Sequence, residues 1–128
     1  MCDHDLILMI KNYVQRCGLQ DFSIFRYDPG RLIISGSNDR SYYHTLEIIA
    51  ENPIYIQGEM DWYCDVDSDF IRANVGLPAG DIRKLDLYSD DGLAFSVTAE
   101  SFKVNFDRVF YYQCENLQPG ERLAYWVE

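Results

Sequence analysis

The chain has 128 residues, 48% hydrophobic and 15% aromatic, a composition that excludes a disordered polymer and gives one domain enough apolar mass for a core. Its 21 acids and 11 bases leave a net charge of −10, spread over both halves rather than gathered in a tail. Such a field excludes nucleic acid as a partner, because that binding needs Lys and Arg to neutralise phosphates; it repels anionic membranes and draws cations and basic proteins.

The first element is an amphipathic helix. In DHDLILMIKNYVQRCG the residues Leu6, Ile10, Tyr13, Val14 and Cys17 recur at helical spacing. Asp3 or Asp5 is placed to cap its start, Arg16 suits its last turn, and Gly18 follows where a helix ends in a left-handed residue. Beyond Gly18 the pattern turns to strand. FSIFRY and RLIIS flank the turn residues DPG, which predicts a hairpin over 22–35 with Phe22, Ile24 and Arg26 on one side. YYHTLEIIAE is a third strand after the polar loop SGSNDR, and PIYIQGEMDWYCD a fourth, edged by Pro53 and broken at Gly58.

Residues 65–81 are the least strand-like part of the chain. SDFIRAN suits one helical turn capped by Ser68 or Asp69, and Gly76, Pro78 and Gly80 make the remainder a loop. IRKLDLY, the turn SDDG and LAFSVTAE form a second hairpin. SFKVNF alternates, with Phe102, Val104 and Phe106 on one face; VFYYQCE follows a bulge near Asp107 and Arg108, and RLAYWV is the last strand. The sum is a single α+β domain over 1–128, with an N-terminal helix packed on a curved, mainly antiparallel sheet of about seven or eight strands. No βαβ alternation supports a doubly wound nucleotide-binding sheet, and the longest early apolar run, LILMI, is too short to span a bilayer.

No motif fixes a catalytic activity. DVDSD sets Asp65, Asp67 and Asp69 at alternate positions, as a calcium loop begins, but Phe70 and Gly76 stand where that loop needs Gly and Glu. There is no C-x-x-C pair, and His4 and His44 are isolated, so neither a metal nor a cofactor is expected. Cys2, Cys17, Cys64 and Cys114 follow no leader, and an aromatic-rich core does not need stapling; free thiols in a reducing, cytoplasmic setting are expected. Acids around Cys64 suppress its thiolate and argue against a nucleophile.

A surface of acids interleaved with aromatics remains. In EMDWYCDVDSDF, alternation puts Met60, Trp62 and Cys64 on one face and Asp61, Tyr63 and Asp65 on the other. The acids are either ordinary solvated surface or a recognition edge joined by Asp90 and Asp91 at the SDDG turn. With its size, its acidity, and stretches such as DWYCDVDSD and SDDG, the chain resembles the immunity proteins of bacterial toxin–immunity systems, including those of contact-dependent growth inhibition. The resemblance is one of general character and carries over no motif. It implies a cytoplasmic, non-enzymatic inhibitor of one cognate basic toxin domain, a nuclease in many such systems. Asp61, Asp65, Asp67, Asp69, Asp90 and Asp91 would then hold the partner, with Tyr63 and Phe70 as apolar anchors. Two alternatives stay open. One is a small-molecule or enzymatic pocket lined by Tyr and Phe near His44, with His44 and a buried carboxylate as acid–base groups. The other is a scaffold whose edge strands add to a partner's sheet.

Overall fold

A computed structural model describes residues 3–75 and 82–127. Helix α1 (Asp3–Cys17) forms on the expected stripe: Leu6, Ile10 and Val14 are buried, and Ile7, Tyr13 and Cys17 pack beside them. Gly18, in the left-handed region at φ 66°, ends it, and the amides of Gly18 and Leu19 both return to the Val14 carbonyl. The side chains of Asp3 and Asp5, the expected caps, lie outside the described residues, as does the loop over 76–81.

Ten strands follow among the described residues: β1 (Asp21–Asp28), β2 (Arg31–Ser37), β3 (Tyr43–His44), β4 (Leu46–Gly58), β5 (Asp61–Tyr63), β6 (Ile71–Val75), β7 (Ile82–Ser89), β8 (Gly92–Asn105), β9 (Arg108–Phe110) and β10 (Glu121–Leu123). Seven make an antiparallel sheet in the order β5-β1-β2-β4-β8-β7-β6, and β10-β9-β3 make a small second sheet. The fold is α+β with most of the chain in sheet, one helix against the large sheet.

The large sheet is strongly curled. Laid flat, its outermost strands would stand roughly 29 Å apart at the usual strand spacing. Yet β5 and β6 are joined by residues 64–70 alone, a reach of roughly 27 Å fully extended, and part of that stretch is folded into a turn in which the Ser68 amide bonds the Asp65 carbonyl. The curl brings Trp62 of β5 onto Phe95 of β8, four strands away in the sheet, with ring centroids 5.4 Å apart and planes 7° from parallel. Phe22 lies between Trp62 and Phe70, and these rings share one core with Ile10, Val14, Ile34, Ile48, Leu85 and Val97.

The bend sits in β4. Residues 47–51 pair with both β2 and β8, and the Asn52 amide still bonds the Gly30 carbonyl; from Pro53 onward only β8 remains alongside among the described residues. Asn52 has φ 51°, and the register slips between Pro53 and Tyr55, a bulge of the kind that turns corners in sheets. Pro53 is tolerated because this half of β4 is an edge. At Gly58 (φ 141°) a Cβ would lie 2.3 Å from the Ala94 carbonyl oxygen, so only glycine lets the two strands close here.

Several sequence expectations are corrected. YYHTLEIIAE splits into β3 and the start of β4, and the strand then runs on through Pro53 to Gly58. SDFIRAN is not helical: Phe70 leads into β6, because Ile71 and Ala73 find Leu87 and Leu85 on β7, a pairing no local propensity reveals. LAFSVTAE and SFKVNF are one continuous strand, β8. RLAYWV contributes only Arg122 and Leu123 to a strand, β10, leaving Trp126 outside. Met60, expected to face inward with Trp62 and Cys64, is exposed because β5 begins only at Asp61.

Candidate functional site

The acidic stretch and the SDDG turn meet in space. Trp62 and Cys64 face inward; Asp61, Tyr63, Asp65 and Asp67 are exposed, and Tyr63 keeps 49% of its surface. The amide of Tyr88 bonds the Phe70 carbonyl, tying the start of the β7–β8 turn to the acidic loop. Burial and the nearby carboxylates of Asp90, Asp65 and Asp21 push the Cys64 thiol up to about 12, so acids from β1, the loop and the turn all act on one buried atom. Among the described residues, Asp65, Asp67, Asp90 and Asp91 form no ion pair, and their charge stands unbalanced.

The loop is held from behind. Asp65 accepts the Asp67 amide at 3.0 Å, and Gln15 of α1 donates to the Val66 carbonyl. Asp69 bridges Lys11 and Arg72, each at 2.9 Å, and their hydrogen bonds hold its carboxyl below the usual range. Asp69 therefore anchors the loop to the helix rather than adding free charge. Phe70, expected as a surface anchor, is only 1% exposed and packs against Phe22; it belongs to the core.

A second constellation surrounds His44, which is fully buried. Its Nε2 lies 2.9 Å from Glu47 Oε2, and its Nδ1 lies 2.6 Å from the Tyr111 hydroxyl. Burial raises the Glu47 carboxyl, but the His44 hydrogen bond and the charge of Arg122, which also donates to Glu47, outweigh it and hold the group below its ordinary value. An ionised Glu47 can only accept, so Nε2–H donates; in the neutral ring Nδ1 then accepts the Tyr111 O–H. Burial pushes the Tyr111 hydroxyl up to about 12. The Ser35 hydroxyl works against that rise, and its Oγ stands 2.9 Å from that of Ser23. The network stitches the small sheet and the C-terminal segment to β2 and β4.

Phe25 closes this cluster from outside, its ring edge-on to His44 at 4.6 Å. Alternation already turns Phe25 away from Phe22 and Ile24; the bulge there, with Ile24 paired to Ile34 and Arg26 to Ile33, moves Arg26, expected beside Phe22 and Ile24, to the same outer side over the Tyr125 ring. Over Phe25 lies a cleft of about 330 Å³ lined by Ser23, Ile24, Phe25, Arg40, Asp61, Tyr111 and Trp126. His44 does not line the cleft; Tyr111 presents its ring there and turns its hydroxyl inward. Asp61 belongs to both the cleft and the acidic face.

Sequence reasoning found His44 and the carboxylates but missed Phe25, Glu47, Tyr111, Arg122 and Trp126. Glu47 carried a signal: it stands three residues after His44 in a run otherwise rich in apolar residues, the setting in which a buried acid must be paired. The others are brought together by the return of the C-terminal segment. Compared with protein families, with curated proteins and with solved structures, the chain finds no match.

Proposed function

We propose that this chain is an immunity-type binding protein of the cytoplasm that captures and neutralises a basic toxin domain, a nuclease being the best electrostatic fit. The observation that carries this reading is the approach of Asp65 and Asp90, from two separate segments, to the buried Cys64, with exposed Asp67 and Asp91 close by them in the chain. None of the four is in an ion pair among the described residues, and Tyr63 is half-exposed on the same stretch. A nucleic-acid-binding surface is basic, so an acidic face with an aromatic anchor is its physical complement. The tethering of the loop by Lys11, Gln15 and Arg72 supports the same reading, since a loop held in place loses less entropy on binding.

The test is capture of the basic toxin domain encoded beside this gene, with affinity measured by calorimetry at two salt concentrations. Binding should weaken with salt, and reversing Asp65, Asp67 and Asp90 to Lys together should reduce it by a factor of about 100 or more. A toxin domain that stays fully active with excess protein present would sink the proposal. The cleft beside Tyr111 favours a second reading, a small-ligand pocket; the complete burial of His44 supports binding there rather than acid–base chemistry.

A further inference from the structure

We propose that the cleft between β1, β5 and the C-terminal segment receives one arginine side chain of the basic partner, an inference that rests on the binding function above. At about 330 Å³ the cleft is at the small end of ligand sites, a size for one side chain rather than for an extended ligand. Its walls are aromatic: Phe25 and Tyr111 lie 5.4 and 5.2 Å from the ring of Trp126, which is 48% exposed. Such rings attract a guanidinium through their faces. Its rim carries the carboxylate of Asp61, exposed and contiguous with the acidic face that would deliver a basic surface to this point.

Asp61 is not tightly held. Its nearest cation is Arg40 of the same cleft, with Nη1 at 3.8 Å, beyond hydrogen-bonding distance. Both side chains are well exposed, and such a pair is worth little. Arg40 is thus a weak internal competitor for a carboxylate that a partner's guanidinium could grip in a hydrogen-bonded fork. The molecule already makes this arrangement next door: Arg26 lies over the Tyr125 ring at 4.3 Å and bonds Asp28 at 2.7 Å, with Tyr125 packed against Trp126. Ring plus carboxylate is filled there by the chain's own arginine; in the cleft it is open to one from outside. Arginine suits it better than lysine, because a planar guanidinium both stacks and pairs in a fork.

The full-length chain is titrated with N-acetyl-arginine amide, with the isosteric but neutral N-acetyl-citrulline amide as comparator, following tryptophan fluorescence. Trp62 is buried against Phe95, so the change reports Trp126, and Trp126→Phe should abolish it. The arginine amide is expected to saturate in the millimolar range, and the citrulline amide to bind about fivefold or more weakly. Arg40→Gln, which removes the competitor, should tighten binding about two- to fivefold, and Asp61→Asn should weaken it by at least that factor. Both positions are exposed, so unchanged melting confirms that each variant is folded. Equal binding of the two amides, no saturation, or weaker binding by Arg40→Gln overturns the proposal. The free amide probes the cleft alone. Saturation without capture of any basic domain would remove the inhibitor function and leave the site, and capture without saturation would do the reverse.

Discussion

Replacing Tyr111 by Phe removes one oxygen and leaves the ring that lines the cleft. The oxygen lies 2.6 Å from His44 Nδ1, which accepts its O–H hydrogen bond in the neutral ring. Without it, Nδ1 is an acceptor with no donor in a ring that has no solvent exposure. An unmet buried polar group costs about 1–3 kcal/mol, and Nδ1 carries most of that here because Ser35 retains Ser23 as a partner. For a chain of this length 1 kcal/mol corresponds to about 4 °C in melting temperature, so a loss near the middle of the range lowers Tm by about 8 °C. Calorimetry and urea titration both read it: the urea midpoint should fall with an unchanged slope, since no apolar surface is rearranged. Tyr112→Phe, at the exposed neighbouring position, is the control and should stay within about 0.5 kcal/mol of the parent. If Tyr111→Phe melts with the parent protein, the His44 network contributes nothing to holding the C-terminal segment, and the reasoning fails.

Phe70→Ala empties a site packed against Phe22 and should cost about 3–5 kcal/mol, seen as a lowered urea midpoint, whereas Tyr63→Ala should leave stability nearly unchanged and weaken partner capture. Gly58→Ala forces a Cβ against the Ala94 carbonyl at φ 141° and should destabilise by more than about 1 kcal/mol in thermal melts. The Glu47 carboxyl is lower folded than unfolded, so its stabilisation is present above the unfolded carboxylate pKa and lost as pH falls through the folded value; acid melts of Glu47→Gln should lack that part of the loss. The Cys64 thiol is higher folded than unfolded, so its contribution is complete below the unfolded thiol pKa and is lost as pH rises toward about 12. At pH 8 peptide mapping with iodoacetamide should find Cys64 unmodified while Cys17 and Cys114, both partly exposed, react.

Where the sequence was legible, a local pattern and the tertiary fold agreed. Leu6, Ile10 and Val14 marked the helix face, the turn residues DPG and SDDG marked two hairpins, and alternation turned Trp62 inward. It misled where pairing partners lie far away. Ile71 and Ala73 make a strand only because β7 is beside them, and Phe70 is core only because the curled sheet brings Phe22 to it. The cleft was illegible for a related reason: alternation puts Phe25 opposite Phe22 and Ile24, as found, but the extra residue there turns Arg26 to the same far face, over Tyr125, and the rings that complete the cleft come from the distant C-terminal segment. The acids were visible from the start; their convergence around Cys64 was not, since Asp21, Asp65 and Asp90 sit on three separate segments.

The long ladder between β4 and β8 has a consequence for how the chain reaches this state. Its pairs run from Gly58 with Phe95 to Glu47 with Asn105, so every contact closes a loop of about 40–60 residues. The hairpins β1–β2 and β7–β8 turn within two residues and can form alone; the ladder that joins them must wait for a slow encounter between distant segments. Until then the apolar run Ile54–Tyr55–Ile56 lacks its β8 neighbour, and afterwards, among the described residues, it has a strand only on the side of β8. Refolding should therefore be slow for so small a chain and sensitive to concentration, with this uncharged segment as the point where two unfinished molecules adhere.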